Sequence, residues 1–239
     1  MKGAGLIPGC LALALATTTA APTQAYEPGP VSGGGTISGV LTYTGAVPTR
    51  KIIPTKNVEV CGGVRDDPLI DVGPNHAVQN AVVFLKEVAK GKAWPPAGKK
   101  PELDNLKCRF VPNVQVMPPG PLDVVNKDPV LHNTHGYYGQ RTAFNMALPN
   151  QGQRIGTDLT RPGVVRLDCD AHGWMLGWIY VVDNPYYAIT GADGKFVIGD
   201  VPPGSYTLVT WQPYTGAAEQ PVIVAAGKAI ELAIELKKH

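Results

Sequence analysis

The chain has 239 residues, of which 28 are glycine and 23 proline, with 44% hydrophobic and only 17% charged side chains. That is enough apolar material for a real core. The core is cut by many turns, however, and short apolar runs between Gly, Pro, Asn and Asp clusters, without an amphipathic helix, predict an all-β sandwich architecture. A net charge of +2 excludes nucleic acid as a bulk partner.

In chain order, Lys2, the apolar run Leu11 to Ala16 and the small-residue site Thr23-Gln24-Ala25 read as a signal peptide over residues 1–25. Export to the periplasm or the exterior is therefore expected, with the mature chain beginning near Tyr26. Cys10 precedes the apolar run, whereas a lipid-bearing cysteine would follow it, so it should leave with the signal. No later stretch approaches the roughly 18 apolar residues of a membrane span. Gly35 to Tyr43 reads as a strand with Ile37, Leu41 and Tyr43 on one face, and Ala81 to Leu85 as a buried strand. A Lys/Pro-rich linker, Lys86 to Pro101, closes this first segment, residues 33–100. Lys86, Lys90, Lys92, Lys99, Lys100, Lys107 and Arg109 crowd one region, either as a solvated loop or as a docking patch for an acidic redox partner.

With Cys169 read as a metal ligand and Cys10 lost, Cys61 and Cys108 are the thiols left in an oxidising compartment, and pairing them is the economical reading. A second metal site at these two cysteines is the alternative, but no His or Cys stands near them in sequence. Phe110 to Asp128 alternates through Val114, Val116, Leu122, Val124 and Val125 and delivers His132. Positions three apart on a strand face opposite sides, so His132 and His135 do not both point inward. His132 is the candidate ligand, and His135 an exposed neighbour or a group behind the ligands.

The run Gly163 to Asp168 alternates so that Val165, Leu167 and Cys169 share one side. It leads into Cys169-Asp170-Ala171-His172-Gly173-Trp174-Met175, which sets a thiolate, an imidazole and a thioether at C-x2-H-x2-M. This soft donor set suits copper, and a His2Cys site with a weak axial Met is the blue-copper arrangement. A His3Cys zinc site from His132, His135, Cys169 and His172 is the rival, but zinc has no use for the thioether of Met175. The chain has five histidines and no H-x-H pair, too few for a multicopper oxidase or a catalytic second copper. No G-x-S-x-G supports a serine hydrolase. Three strong ligands and a long axial one leave no open position, which points away from an enzyme and toward electron transfer.

The spacing C-x2-H-x2-M, preceded by Asn126-Lys127-Asp128-Pro129-Val130-Leu131-His132-Asn133, resembles the cupredoxin family, with the short ligand loop of amicyanin-like members. The resemblance covers roughly residues 104–184 and implies one domain over residues 101–184, a Greek-key sandwich. It implies one type 1 copper held by His132, Cys169, His172 and Met175, with Asn133 helping to tie the two ligand loops together by hydrogen bonds. Asp170 stands where the family often carries a small hydroxyl residue. The resemblance also implies that the edge of His172 reaches the surface as the electron port. Trp174 and Trp178 either form an apolar patch around that port or fill ordinary core.

Residues 185–239 read as a hairpin, Tyr187 to Thr190 turning at Gly191-Ala192-Asp193-Gly194 into Phe196 to Ile198, then Val201 to Val209 and a last strand Ile230 to Leu236. Asp193-Gly194-Lys195-Phe196 and Pro203-Gly204-Ser205-Tyr206-Thr207-Leu208 resemble the carboxypeptidase regulatory-like, transthyretin-like β-sandwich. That family's opening strands match Gly35 to Gly39 and Ala81 to Val83, so residues 33–100 and 185–237 are expected to form one small sandwich with the cupredoxin inserted. The combination is similar to bacterial exported proteins described as methylamine-utilisation-like. The expected function is electron transfer with an unidentified partner such as a cytochrome or a copper enzyme. The alternative is a copper-delivery protein, or a module recognising carbohydrate or protein.

Overall fold

The computed structural model describes residues 25–96 and 98–238. The signal-peptide reading, Cys10 included, falls on residues outside this range but for Ala25. Within it, no helix is long and apolar enough to cross a membrane.

The strands follow in chain order. The first segment carries β1 (Glu27–Pro28), β2 (Gly35–Thr42), β3 (Thr49–Ile52), β4 (Arg65–Pro68), β5 (Val82–Lys86) and β6 (Lys90–Gly91), with a single helical turn, α1 (Val58–Cys61), between β3 and β4. The middle carries β7 (Glu102–Leu106), β8 (Arg109–Val111), β9 (Val114–Met117), β10 (Gly120–Asn126), β11 (His132–Tyr138), β12 (Arg141–Leu148), β13 (Arg154–Leu159), β14 (Gly163–Cys169) and β15 (Leu176–Val181). The end carries β16 (Tyr187–Ile189), β17 (Lys195–Val201), β18 (Gly204–Gln212), β19 (Gly216–Val224) and β20 (Ala229–Glu235).

These strands make two sandwiches. The middle segment folds on itself, with sheets ordered β13-β10-β7-β8 and β12-β11-β14-β15-β9. The two outer segments build the other from sheets β16-β5-β18-β19 and β17-β2-β20. Ile37 on β2 stands opposite Ile198 on β17 and Ile230 on β20, while Val83 on β5 pairs with Ala188 and Thr210. The small sandwich is therefore closed by strands more than a hundred residues apart, and the middle segment leaves and re-enters it.

Burial follows the pleat. On β2 every second residue is inside, and on β12 Phe144, Met146 and Leu148 are. β5 differs, with Val82, Val83, Phe84 and Leu85 all buried. Val83 and Leu85 enter the small sandwich's own core, whereas Val82 and Phe84 face the other sandwich with Val209 and Trp211. There Phe84 meets Tyr180 at 4.9 Å and Trp211 meets Trp178 at 6.0 Å, ring centre to ring centre. Trp178 is thus interface core and not part of a surface patch.

One expected connection is absent. The Gly191–Gly194 turn forms, with Gly194 at φ 72° packed so that a Cβ would stand 2.6 Å from the Leu41 carbonyl. Its flanking strands do not pair as a hairpin, because β16 joins β5 in one sheet and β17 joins β2 in the other. The turn crosses between sheets. Its residue types fit a tight turn in either case; the choice was made by the partners waiting on β2 and β5.

The lysine-rich stretch is also less of a patch than its sequence suggests. Lys86 pairs with Glu219, Lys100 with Asp123, Arg109 with Asp67, and the Lys92 ammonium is turned onto the Gly199 carbonyl.

Candidate metal centre

Cys169 ends β14 on the side of Val165 and Leu167, facing the core, and Thr134 of β11 lies directly opposite it. His132 begins β11, so strand pairing alone brings its ring beside the cysteine. The loop after Cys169 then winds back through two tight turns, His172 N–H to the Cys169 carbonyl at 3.1 Å and Met175 N–H to the His172 carbonyl at 2.9 Å. Cys169 Sγ lies 3.8 Å from both His132 Nδ1 and His172 Nδ1, and the two nitrogens are 3.2 Å apart. The point equidistant from these three atoms lies about 2.1 Å from each, within the span of about 2.0–2.3 Å for metal–nitrogen and metal–thiolate bonds. All three residues are buried, at 0%, 1% and 1% exposure for His132, Cys169 and His172. Met175 is buried in the same core as Cys169.

Both imidazoles are fixed from behind. His132 Nε2 is 2.9 Å from the Asp128 carboxylate and His172 Nε2 is 3.0 Å from Asn57 Oδ1. Each Nε2 then carries the proton as donor, which leaves each Nδ1 lone pair turned toward the sulfur. Burial pushes the His132 imidazolium below its ordinary range against the pull of Asp128, and burial with the neighbouring His132 and Lys56 holds His172 down at about 4. Both rings are neutral at physiological pH, the form that ligates a metal. Burial raises the Cys169 thiol, while N–H groups of Asn133, His172 and Ala171 act in the opposite sense.

Asp128 is a functional residue that the sequence reading missed. It also accepts the N–H groups of Lys107 at 2.7 Å and Cys108 at 2.9 Å. Those two residues form the β7–β8 turn with φ 51° each, a left-handed pair for which Asn-Gly is the usual choice. The carboxylate offsets that cost, so one side chain orients a ring and holds the turn carrying Cys108. A carboxylate four residues before the histidine, separated from it by Pro129, Val130 and Leu131, is the signal that could have pointed to it.

Cys61 and Cys108 are joined as a disulfide. Their sulfurs lie within 4.8 Å of a His172 nitrogen, and Cys108 Sγ is as near to His132 and Asp128. The bridge thus pins α1 over the site.

That cover overturns the expectation for His172. Its edge does not reach the surface: Asn57, just before α1, caps Nε2, and Trp174 packs on the ring at 5.1 Å between centres. Asn57 lies 115 residues upstream in the other segment, beyond any local pattern. The two ligand loops meet at Asn133. The ligand loops are tied by backbone, Asn133 N–H to Cys169 Sγ at 3.4 Å and Asp170 N–H to the Asn133 carbonyl at 3.3 Å, while the Asn133 side-chain oxygen is buried without a partner among the described residues. His135 stands on the opposite face of β11 from His132, bonded to Asp170, Thr142, Tyr137 and Asn145. It touches none of the three converging atoms, and Asp170 spends its carboxylate on it.

Similarity to known proteins is partial. A family profile described as polysaccharide lyase family 4, domain II, matches residues 173–232. Among curated proteins, none matches the sequence. Among solved structures, a copper-containing nitrite reductase of Thermus scotoductus SA-01 is 24% identical with a TM-score of 0.32, over 39% of this chain and 24% of its own length. A purple cupredoxin of Nitrosopumilus maritimus is 23% identical with a TM-score of 0.31, over 35% of this chain and all of its own. Amicyanin of Paracoccus versutus is 14% identical with a TM-score of 0.32, over 36% of this chain and 84% of its own.

Proposed function

We propose that this chain is an exported electron-transfer protein in which His132, Cys169, His172 and the thioether of Met175 would hold one copper ion. The observation that carries the reading is the buried triangle of Nδ1, Nδ1 and Sγ, whose dimensions suit one small ion and whose soft donors suit copper over zinc. Copper supplies one-electron chemistry when bound. The protein's part is to keep the three donors in place, through Asp128 behind His132, Asn57 behind His172 and the Asn133 N–H on the sulfur. Burial of all three also keeps water, and hence substrate, from the donors, which disfavours turnover at the ion and disfavours ready hand-over of copper.

With copper held there, the path to a partner would cross the cover on His172, since the ring has no bare edge. Asn57 and Trp174 form that cover, and Ile53, Val58 and Val64 are exposed apolar side chains on the same segment. A redox protein docking there with an apolar face would bring its own centre near His172. Potentiometry on the copper-loaded chain tests the reading. A reversible couple of one electron per chain, with unchanged circular dichroism in both states, is expected; copper that is lost on reduction, or a chain that keeps zinc in preference to copper, contradicts it.

A further inference from the structure

Residues 49–68 leave one sandwich to lie on the other. In sequence they fall between β2 and β5, both strands of the small sandwich, yet the ladder they form, β3 with β4, pairs with no sheet of either sandwich. Val60 and Cys61 instead join the core that holds Cys169 and Met175. A two-stranded ladder and a single helical turn are marginal by themselves, so their attachments fix their place.

Those attachments converge on the metal centre. Arg50 of β3 donates from Nη2 to the Trp174 carbonyl in the ligand loop at 2.7 Å, and Asn57 Oδ1 accepts the hydrogen bond of His172 Nε2 at 3.0 Å. Asp67 of β4 accepts from Arg109 of β8 at 2.8 Å, an ion pair with a half-exposed guanidinium and hence a weak tie. The covalent tie is the Cys61–Cys108 bridge. Its far end stands in the turn held by Asp128, the carboxylate behind His132. Both bridge sulfurs come within 4.8 Å of a His172 nitrogen, so this strap lies directly against donor residues that are at most 1% exposed.

We propose that residues 49–68 are a gate over the site of His132, Cys169 and His172, locked by the Cys61–Cys108 bridge, so that the donors are reached only when the strap lifts. The small sandwich is then more than an appendage, since it carries the strap, with Gln212 of β18 donating to the Leu69 carbonyl at its end. Closure is a property of the metal-free chain. Its meaning for copper entry and retention rests on the copper reading above.

Alkylation of Cys169 by iodoacetamide in the metal-free mature chain, followed by mass spectrometry, tests the gate. Cys169 is the free thiol among the described residues, and replacing Cys61 and Cys108 together by serine leaves it so. That double variant should react at least about tenfold faster than wild type with its circular dichroism unchanged, because unlocking raises the population of a locally open form. Ile37→Ala, which weakens the other core and keeps the strap, should react at the wild-type rate. Equal rates in wild type and double variant overturn the gate, and so does an equal acceleration in Ile37→Ala, which would mean that global unfolding exposes the thiol. If the double variant fails to fold, Arg50→Met decides: it cuts the bond to the ligand loop and keeps the bridge, so labelling about threefold faster is expected and a wild-type rate overturns the gate. With Cu(II) as the probe, the visible band should grow faster in the double variant than in wild type. The same growth rate in both overturns the gate, whereas no band in either overturns the copper reading and leaves the alkylation rates to judge the strap.

Discussion

The two sandwiches bury polar groups in different ways. In the small one, Thr190 bridges the Ala81 N–H and the Val78 carbonyl, Asn184 donates to the Leu85 carbonyl and accepts from the Tyr186 N–H, and Gln212 Oε1 accepts the N–H groups of Tyr214 and Thr215. Each stitches loop backbone to a strand end and is spent in doing so. In the inserted sandwich Asn126 and Asp128 do similar work, yet they leave two ring nitrogens and a thiol facing one another, the thiol touched by the Asn133 N–H. Buried polarity that satisfies itself holds a fold together, whereas buried polarity left convergent is poised for an ion. The difference separates a scaffold from a site, though both occur in one chain.

That contrast can be broken or sharpened by mutation. The largest effect is expected at the link between the two sandwiches. Removing the Cys61–Cys108 bridge with a double serine variant frees a loop of 47 residues and should cost about 4 kcal/mol in the chain-entropy picture. A thermal melt unchanged from wild type would show that the cover is held by packing alone. Next comes Ile37→Ala, in the apolar core of the small sandwich, with an expected loss of about 2–5 kcal/mol and no change in the spectrum of bound copper. A matching change in that spectrum would mean that the two cores are not separable.

At the site itself, Asp128→Asn removes the charge behind His132 while keeping the size of the side chain. Copper affinity, read by competition with a chelator, should fall about 10–100-fold. The smallest effect belongs to the rim, where Arg154 first and Lys127 second hold the Glu102 carboxyl at about 2, below its ordinary value of 4.5. A carboxyl depressed in the folded state contributes stability above its unfolded value and loses it as pH falls toward the folded one. Wild type and Glu102→Gln should therefore differ above pH about 4.5 and converge toward pH about 2; a constant difference across that window would remove the ion pairs from the account.

How much of this the sequence carried depends on the range of each interaction. Alternation around Cys169 and the three-residue spacing of His132 and His135 are local, and the structure places these side chains on the faces that the pleat dictates. The unbroken apolar run at Val82–Leu85 also has a local sign, since a strand buried on both faces has no polar side. The hairpin expected at Tyr187–Ile198 failed because a turn sequence fixes a reversal but not the sheet that receives the next strand. The cover on His172 was illegible for a stronger reason. It joins Asn57 to a ring in another segment, and nothing near either residue announces the other. Asp128 lies between these cases, four residues from His132 and recognisable once the ring's second nitrogen is asked for a partner.

The most direct measurement is a titration of the purified mature chain with Cu(II), followed by visible absorption, in wild type and in Cys169→Ser. One equivalent should bring up an intense thiolate-to-copper band in the wild type, absent from the variant, and excess copper should add nothing further. A wild-type chain that stays colourless, or a variant that colours equally, would contradict the claim that these three buried donors close on copper.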